Sequence, residues 1–198
     1  MDVLELLDWR RAVAELFGEL RSRTPDAVTL ARFRAEKDAL FRQHPQSPLP
    51  TTARATFPGL AYWPWDPLAR VVARFGAEAD GPSYPGFRRI GFLEFVLGGT
   101  EARLAAYWID GYAGGLFVPF RDATCSNETY GGGRYALDTI KSADHGGDWR
   151  SDSVILDFNY AYHPSCAYDA RWVCPLAPPE NWLRFPIRAG ERSLEAAH

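Results

Sequence analysis

The hydrophobic period of this chain changes once, and that change limits what it can fold into. Up to about residue 43, apolar side chains recur every three to four positions; beyond a Pro-rich break they come in short runs separated by turn residues. The first pattern suits helices that each bury one stripe, and the second suits strands. Residues 2–22 predict a helix on Val3, Leu6, Leu7, Val13, Leu16, Phe17 and Leu20. Thr24-Pro25-Asp26 predicts a second start, with Thr24 as N-cap, Pro25 at the first helical position and Asp26 as an early carboxylate. The stripe of this helix is Leu30, Phe33, Leu40 and Phe41, and His44-Pro45 stops it near Gln43. Ser47-Pro48-Leu49-Pro50 predicts extended linker.

Strands are expected over Arg70–Phe75, Leu116–Phe120, Tyr135–Leu137 and Val154–Phe158. Arg88–Leu97 and Glu101–Ile109 flank Gly98-Gly99, the signature of a β-hairpin. Trp182–Ile187 alternates and is expected to close the sheet, with Pro186 confining it to an edge. Helices precede strands with no βα alternation, so the expected fold class is α+β. Two N-terminal helices would pack on a mostly antiparallel, barrel- or sandwich-like β-sheet domain. Residues 1–45 would be the helical hairpin and residues 46–198 the β-rich part carrying any site, together forming one structural unit.

Charge and cysteine content narrow the partners. A formal net charge of -3 with no basic stripe argues against nucleic acid. No apolar run approaches the roughly 20 residues of a membrane helix. Met1–Leu7 is acidic where a secretory leader would be basic. Three cysteines, Cys125, Cys166 and Cys174, cannot all pair with one another, which suits a cytoplasmic protein with reduced thiols. Arg greatly outnumbers Lys, and only Lys37 and Lys141 are lysines. Nothing in the sequence calls for a cofactor, and oligomeric state is not legible.

Two stretches crowd aromatic, charged, Gly, Pro and Cys residues together: Phe117–Asp138 and Leu156–Glu191. They contain Phe120-x-Asp122-x-Thr124, Glu128-Thr129-Tyr130-Gly131-Gly132-Gly133-Arg134-Tyr135 and Leu156-Asp157-Phe158-Asn159-x-Ala161-Tyr162-x-Pro164-x-Cys166-Ala167-Tyr168. Cys174-Pro175-Leu176-x-Pro178-Pro179-Glu180-Asn181 and Ile187-x-Ala189-Gly190-Glu191 follow. With Trp9-Arg10, Ser47-Pro48-Leu49 and Phe57-x-Gly59-Leu60-x-Tyr62, these motifs resemble the bacterial and archaeal domain-of-unknown-function family 1684 over nearly the whole chain. The resemblance implies a shared fold and a shared site, and brings no assigned activity. Two positions depart from it: the family usually has Asn at His163 and Gly near Cys125. Neither residue is therefore carried over as a family functional residue.

Each constellation admits a chemical and a structural reading. Gly132 and Gly133 open the backbone to close approach, and Arg134 beside them either holds a ligand anion or pairs with Asp122 or Glu128. Asp157 and Asn159 share one face of a strand end, where they either position substrate or bind local backbone. The Pro-rich run presents Glu180 and Asn181, with Glu180 either a second site carboxylate or a neutraliser of Arg134. Cys166 and Cys174 lie among aromatic residues as buried structural thiols, a pair close enough to oxidise, a nucleophile site, or part of a metal site short of four ligands. By residue type a base for such a nucleophile would be His44, His145, His163 or His198. The functional expectation is a small-molecule enzyme acting on a polar or anionic substrate by acid/base chemistry. Asp157, Glu180, Tyr130 and Cys166 would be its catalytic candidates, and Arg134, Gly132, Gly133, Asp122, Asn159, Tyr168 and Asn181 its ligand-binding ones, with no metal. The alternatives are a non-catalytic small-ligand-binding module, or a structural or partner-binding protein in which these residues brace loops.

Overall fold

A computed structural model describes residues 2–23, 25–112 and 114–194. Helix α1 (Val3–Ser22) starts at Asp2, whose side chain accepts from the Leu4 and Glu5 amides. Helix α2 (Ala27–Gln43) starts one residue after Asp26, which caps it by accepting from the Thr29 amide at 2.7 Å. The cap is thus Asp26, whose extended backbone frees its carboxylate to reach the first turn; Thr24 lies outside the described residues. Only the C-terminal half of the α1 stripe is buried, at Leu16, Phe17 and Leu20, while Val3 and Leu7 are exposed. Phe33 of α2 stacks edge-on against both Phe17 and Tyr160, joining the two helices to the β-rich part. No described helix is long and apolar enough to cross a membrane.

After the linker comes a one-turn helix, α3 (Thr51–Arg54), which the sequence pattern does not announce. The strands are β1 (Ala61–Tyr62), β2 (Arg70–Ala77), β3 (Ser83–Tyr84), β4 (Phe87–Leu97), β5 (Thr100–Ile109), β6 (Gly115–Phe120), β7 (Arg134–Asp138), β8 (Gly147–Asp148), β9 (Ser153–Asp157) and β10 (Glu191–Arg192). The main sheet runs β7-β6-β5-β4-β2-β9-β8, with β3 added beside β4. Its described pairings are antiparallel, and it curls into a half-barrel. The fold is therefore α+β, as the order of periods requires. The β4–β5 hairpin turns at Gly98-Gly99, both at positive φ (58° and 80°), the geometry that glycine adopts without strain. A separate two-stranded sheet pairs β1 with β10.

One expected strand is absent. Trp182–Ile187 makes only a single bridge, Arg121 to Trp182, and otherwise follows an irregular path. Its neighbours hold it through scattered bonds instead: the Arg121 amide donates to Asn181 O, the Leu183 amide to Arg121 O and the Ala123 amide to Phe185 O. Pro186, which has no N–H, cannot extend a ladder there. The main core lies on the inner side of the curl, around Leu93, Leu104, Val118, Leu156 and Phe158. A second cluster joins the helices to Tyr160. Phe33→Ala is expected to lower stability by about 3–5 kcal/mol, because truncation empties the space between Phe17 and Tyr160. Urea unfolding of the two proteins measures the difference.

Candidate functional site

The Gly-Arg motif folds inward. Gly133 takes φ +91°, and a Cβ there would sit 2.4 Å from the Phe120 carbonyl oxygen, so only glycine lets β7 begin beside β6. Arg134 is fully buried. Its Nη2 donates to Ile187 O at 2.7 Å and to Asp122 Oδ2 at 3.3 Å, while Nη1 donates to Glu191 O at 3.2 Å and to Ala189 O. The Trp63 and Phe120 rings flank it at 5.1 and 5.0 Å. Asp122 in turn accepts from the Ile187 amide and from Thr124 Oγ1, the latter at 2.7 Å. Arg134 and Asp122 thus face each other and the 187–191 segment, and Glu128 pairs elsewhere, with Arg188 at 2.9 Å.

The other candidates fall into separate local systems. Asp157 Oδ1 accepts from the Asn159 amide at 3.1 Å and from Asn159 Nδ2 at 3.0 Å. Asn159 then binds both the N–H and the carbonyl of Asp66, which ties β9 to the turn before β2. Burial lifts the Asp157 carboxyl to about 6, against the Asn159 hydrogen bonds and Arg70, whose Nε lies 3.6 Å away. Glu180 accepts from the Tyr84 hydroxyl at 2.8 Å and from Arg89 Nη1 at 3.4 Å. Asn181 is wholly buried, accepting from the Ala105 amide and donating to the Ala105 and Pro119 carbonyls, so it stitches β5 to β6. Asp157, Glu180 and Arg134 share no hydrogen-bond partner.

A different set converges on Glu191, the first residue of β10. This carboxylate is buried, pairs with Lys37 of α2, and accepts from the His163 amide at 2.8 Å and the Tyr168 hydroxyl at 2.5 Å. Burial alone would raise its carboxyl, but Lys37, then His163, and the hydrogen bonds from Lys37 and Tyr168 together hold it below the usual range. Burial drives His163 down to about 4, against the attraction of Glu191, so its imidazole is neutral near pH 7. The neutral ring accepts from the Tyr130 amide at 3.3 Å through Nε2. The Lys37 ammonium also lies over the Tyr162 ring, 4.8 Å from its centre.

Lys37, Tyr162, His163 and Tyr168 of this cluster line a pocket of about 340 Å³, with Glu191 buried behind them. Helix α1 lines it with Leu6, Trp9, Arg10 and Val13, and α2 with Phe33, Lys37, Leu40 and Phe41. The facing wall is Tyr162, His163, Tyr168, Trp172 and Cys174, and Ile140 and Lys141 stand beside it. No Asp or Glu is among the described residues that line it, whereas both lysines of the chain do. Of the predicted ligand residues, only Tyr168 reaches this pocket directly. Cys166 touches it through Cys174, whose sulfur accepts from the Cys166 amide at 3.3 Å, and Tyr130 stands behind it with its hydroxyl 3.8 Å from Cys166 Sγ. Lys37 and Glu191 were not among the site candidates drawn from the sequence. Two signals were present: Glu191 ends the Ile187-x-Ala189-Gly190-Glu191 motif, and Lys37 is one of two lysines, both of which stand at this pocket. Among the histidines, His145 packs between Phe17 and Tyr160 and is not among the described lining residues of this pocket, and His198 lies outside the described residues.

The model of the family described as "Protein of unknown function (DUF1684)" matches residues 55–192. The chain belongs to this family. The DUF1684 match thus takes in the Arg134 clasp, the cysteine pair and Glu191, while Lys37 and the helical wall of the pocket precede it. A similar solved structure is the solution NMR structure of the uncharacterized protein from gene locus rrnAC0354 of Haloarcula marismortui. It is 37% identical, with a TM-score of 0.60, and the match covers 84% of this chain and 93% of that one. No curated protein matches the sequence.

Two outcomes follow from these environments. Arg134→Lys is expected to cost about 3–5 kcal/mol in urea unfolding, because one ammonium cannot replace a fork that spans three carbonyls and a buried carboxylate. Burial lowers His145 to about 3, well below its ordinary value, so its contribution to stability is complete above about pH 6.5 and is lost as pH falls toward 3. His145→Phe should therefore lose about 2–3 kcal/mol less than the parent between pH 7 and pH 4.5, measured by urea unfolding at both values.

Proposed function

We propose that this protein binds a small molecule with an apolar body and an anionic end in the pocket between the helices and the Tyr162–Cys174 segment. The observation that carries the reading is the one-sided charge of the lining, with Arg10, Lys37 and Lys141 present and no Asp or Glu among the described lining residues. Its volume is in the range of small-ligand sites, which are typically about 300–1,000 Å³, apolar and furnished with a few convergent polar groups. Lys37 is held by Glu191, so the free positive charge belongs to Arg10, which is exposed and has no carboxylate within ion-pair distance among the described residues, with Lys141 beside Asp138 at 3.5 Å. An acidic head near these two side chains would leave the apolar body against Trp9, Phe41 and Leu40. Binding is favoured over acid/base catalysis because Asp157 and Glu180 are engaged away from the pocket.

The test is a thermal shift titration with octanoate, 1-octanol and octylammonium. Octanoate is expected to raise the melting temperature with concentration, as any ligand selective for the native state must, and octylammonium is not. The double variant Arg10→Gln, Lys141→Gln should lose the preference for octanoate over octanol. Equal effects of the cation and the anion, or no effect of octanoate, would sink the reading.

A further inference from the structure

We infer that Cys166 and Cys174 form a reversible dithiol–disulfide site in the wall of the pocket. The Cys174 sulfur lies 3.3 Å from the Cys166 amide nitrogen, and it lines the pocket. Bond lengths then confine the two Cα atoms to at most about 7.5 Å apart, against the roughly 4.4–6.8 Å of disulfides. That bound reaches into the disulfide range, and closure then requires the two side chains to rotate until their sulfurs meet. Both thiols are free and half-buried, so a small oxidant can reach them. The third cysteine is no competitor: Cys125 is engaged with Asp122 and Thr129.

The residues between the pair give the bond its leverage. Tyr168 holds Glu191, the Trp172 indole donates to Pro48 O at 3.1 Å, and Arg171 donates to Ser47 O at 3.0 Å. Closing a bond across this loop couples the pocket wall to the linker and to the buried Glu191. It also repositions the Cys174 sulfur, which lines the pocket, and so alters the lining at that point.

The chemistry is thiol–disulfide exchange with a low-molecular-weight disulfide as oxidant. One cysteine thiolate attacks the small disulfide and expels one small thiol, leaving a mixed disulfide. The second cysteine attacks the protein sulfur of that mixed disulfide and expels the second small thiol. The protein loses two hydrogens, and the oxidant is reduced to two thiols.

The test uses the full chain, oxidised with a small disulfide and then alkylated under denaturing conditions. One alkylated cysteine, Cys125, with a peptide linking Cys166 to Cys174 is the expected result, reversed by a dithiol reductant. Three alkylated cysteines, a bond that includes Cys125, or a stable adduct on one cysteine alone would overturn the site. The same mapping on Cys174→Ser is expected to show no internal bond, and the wild-type result does not depend on that variant folding. The effect on the pocket rests on the ligand reading above. Octanoate should bind oxidised protein several-fold more weakly than reduced protein, and equal affinity overturns the coupling. If octanoate binds neither form, the ligand reading fails, and the alkylation pattern still decides the disulfide.

Discussion

The guanidinium of Arg134 sets the path of residues 187–191, and much else follows from that path. By donating to the carbonyls of Ile187, Ala189 and Glu191, it holds the segment against the start of β7. Asp122 closes the arrangement from the other side by accepting the Ile187 amide. Once this backbone is fixed, the Glu191 side chain has one place to go, inward toward Lys37, His163 and Tyr168. The placement of Glu191 is thus a consequence of a bond network in which Arg134 is turned to backbone carbonyls and Asp122.

Burying charges in this way is not an inexpensive route to stability. Desolvating an ammonium and a carboxylate can cancel their attraction, and an apolar replacement of similar volume is often equally stable. The Lys37–Glu191 pair does something an apolar contact does less well, which is to demand one position of α2 against the β-rich part. Hydrogen bonds from the His163 amide and Tyr168 complete the set of partners for the carboxylate, so that no oxygen is left bare. Phe33 and Tyr160 add the apolar contribution beside it. Position is set by the polar pair and affinity between the layers by the aromatic one.

Periodic elements were legible in the sequence because their signals are local. Both helices and the Gly98-Gly99 hairpin follow from patterns contained within a few turns or strands. Local turn chemistry also announced that Asp157 and Asn159 face one way, but their partner, Asp66, lies 93 residues before Asn159 and leaves no trace in the motif. The same holds for the pocket. Lys37 and Glu191 are 154 residues apart, and although Glu191 ends a motif, nothing in either segment announces that they pair. Alternation misled at Trp182–Ile187, where the side chains do take turns facing inward but the backbone bonds go to Arg121, Asp122 and Ala123 rather than to a ladder. The motif-rich stretches marked where the chain is tightly constrained, and most of their polar residues brace loops there. The open space lies next to them, walled on one side by helices of which the motifs mark only Trp9-Arg10.

That long separation between Lys37 and Glu191 also orders events in time. The helical hairpin and the β4–β5 hairpin are each made from neighbouring residues and can form as soon as they are synthesised. Closing a loop of 154 residues carries a large entropic cost before any contact repays it. On these grounds the Lys37–Glu191 contact is expected to form late in folding. A chain lacking residue 191 would keep the Phe33–Tyr160 contact between helices and sheet but lose the polar pair that fixes α2 against it.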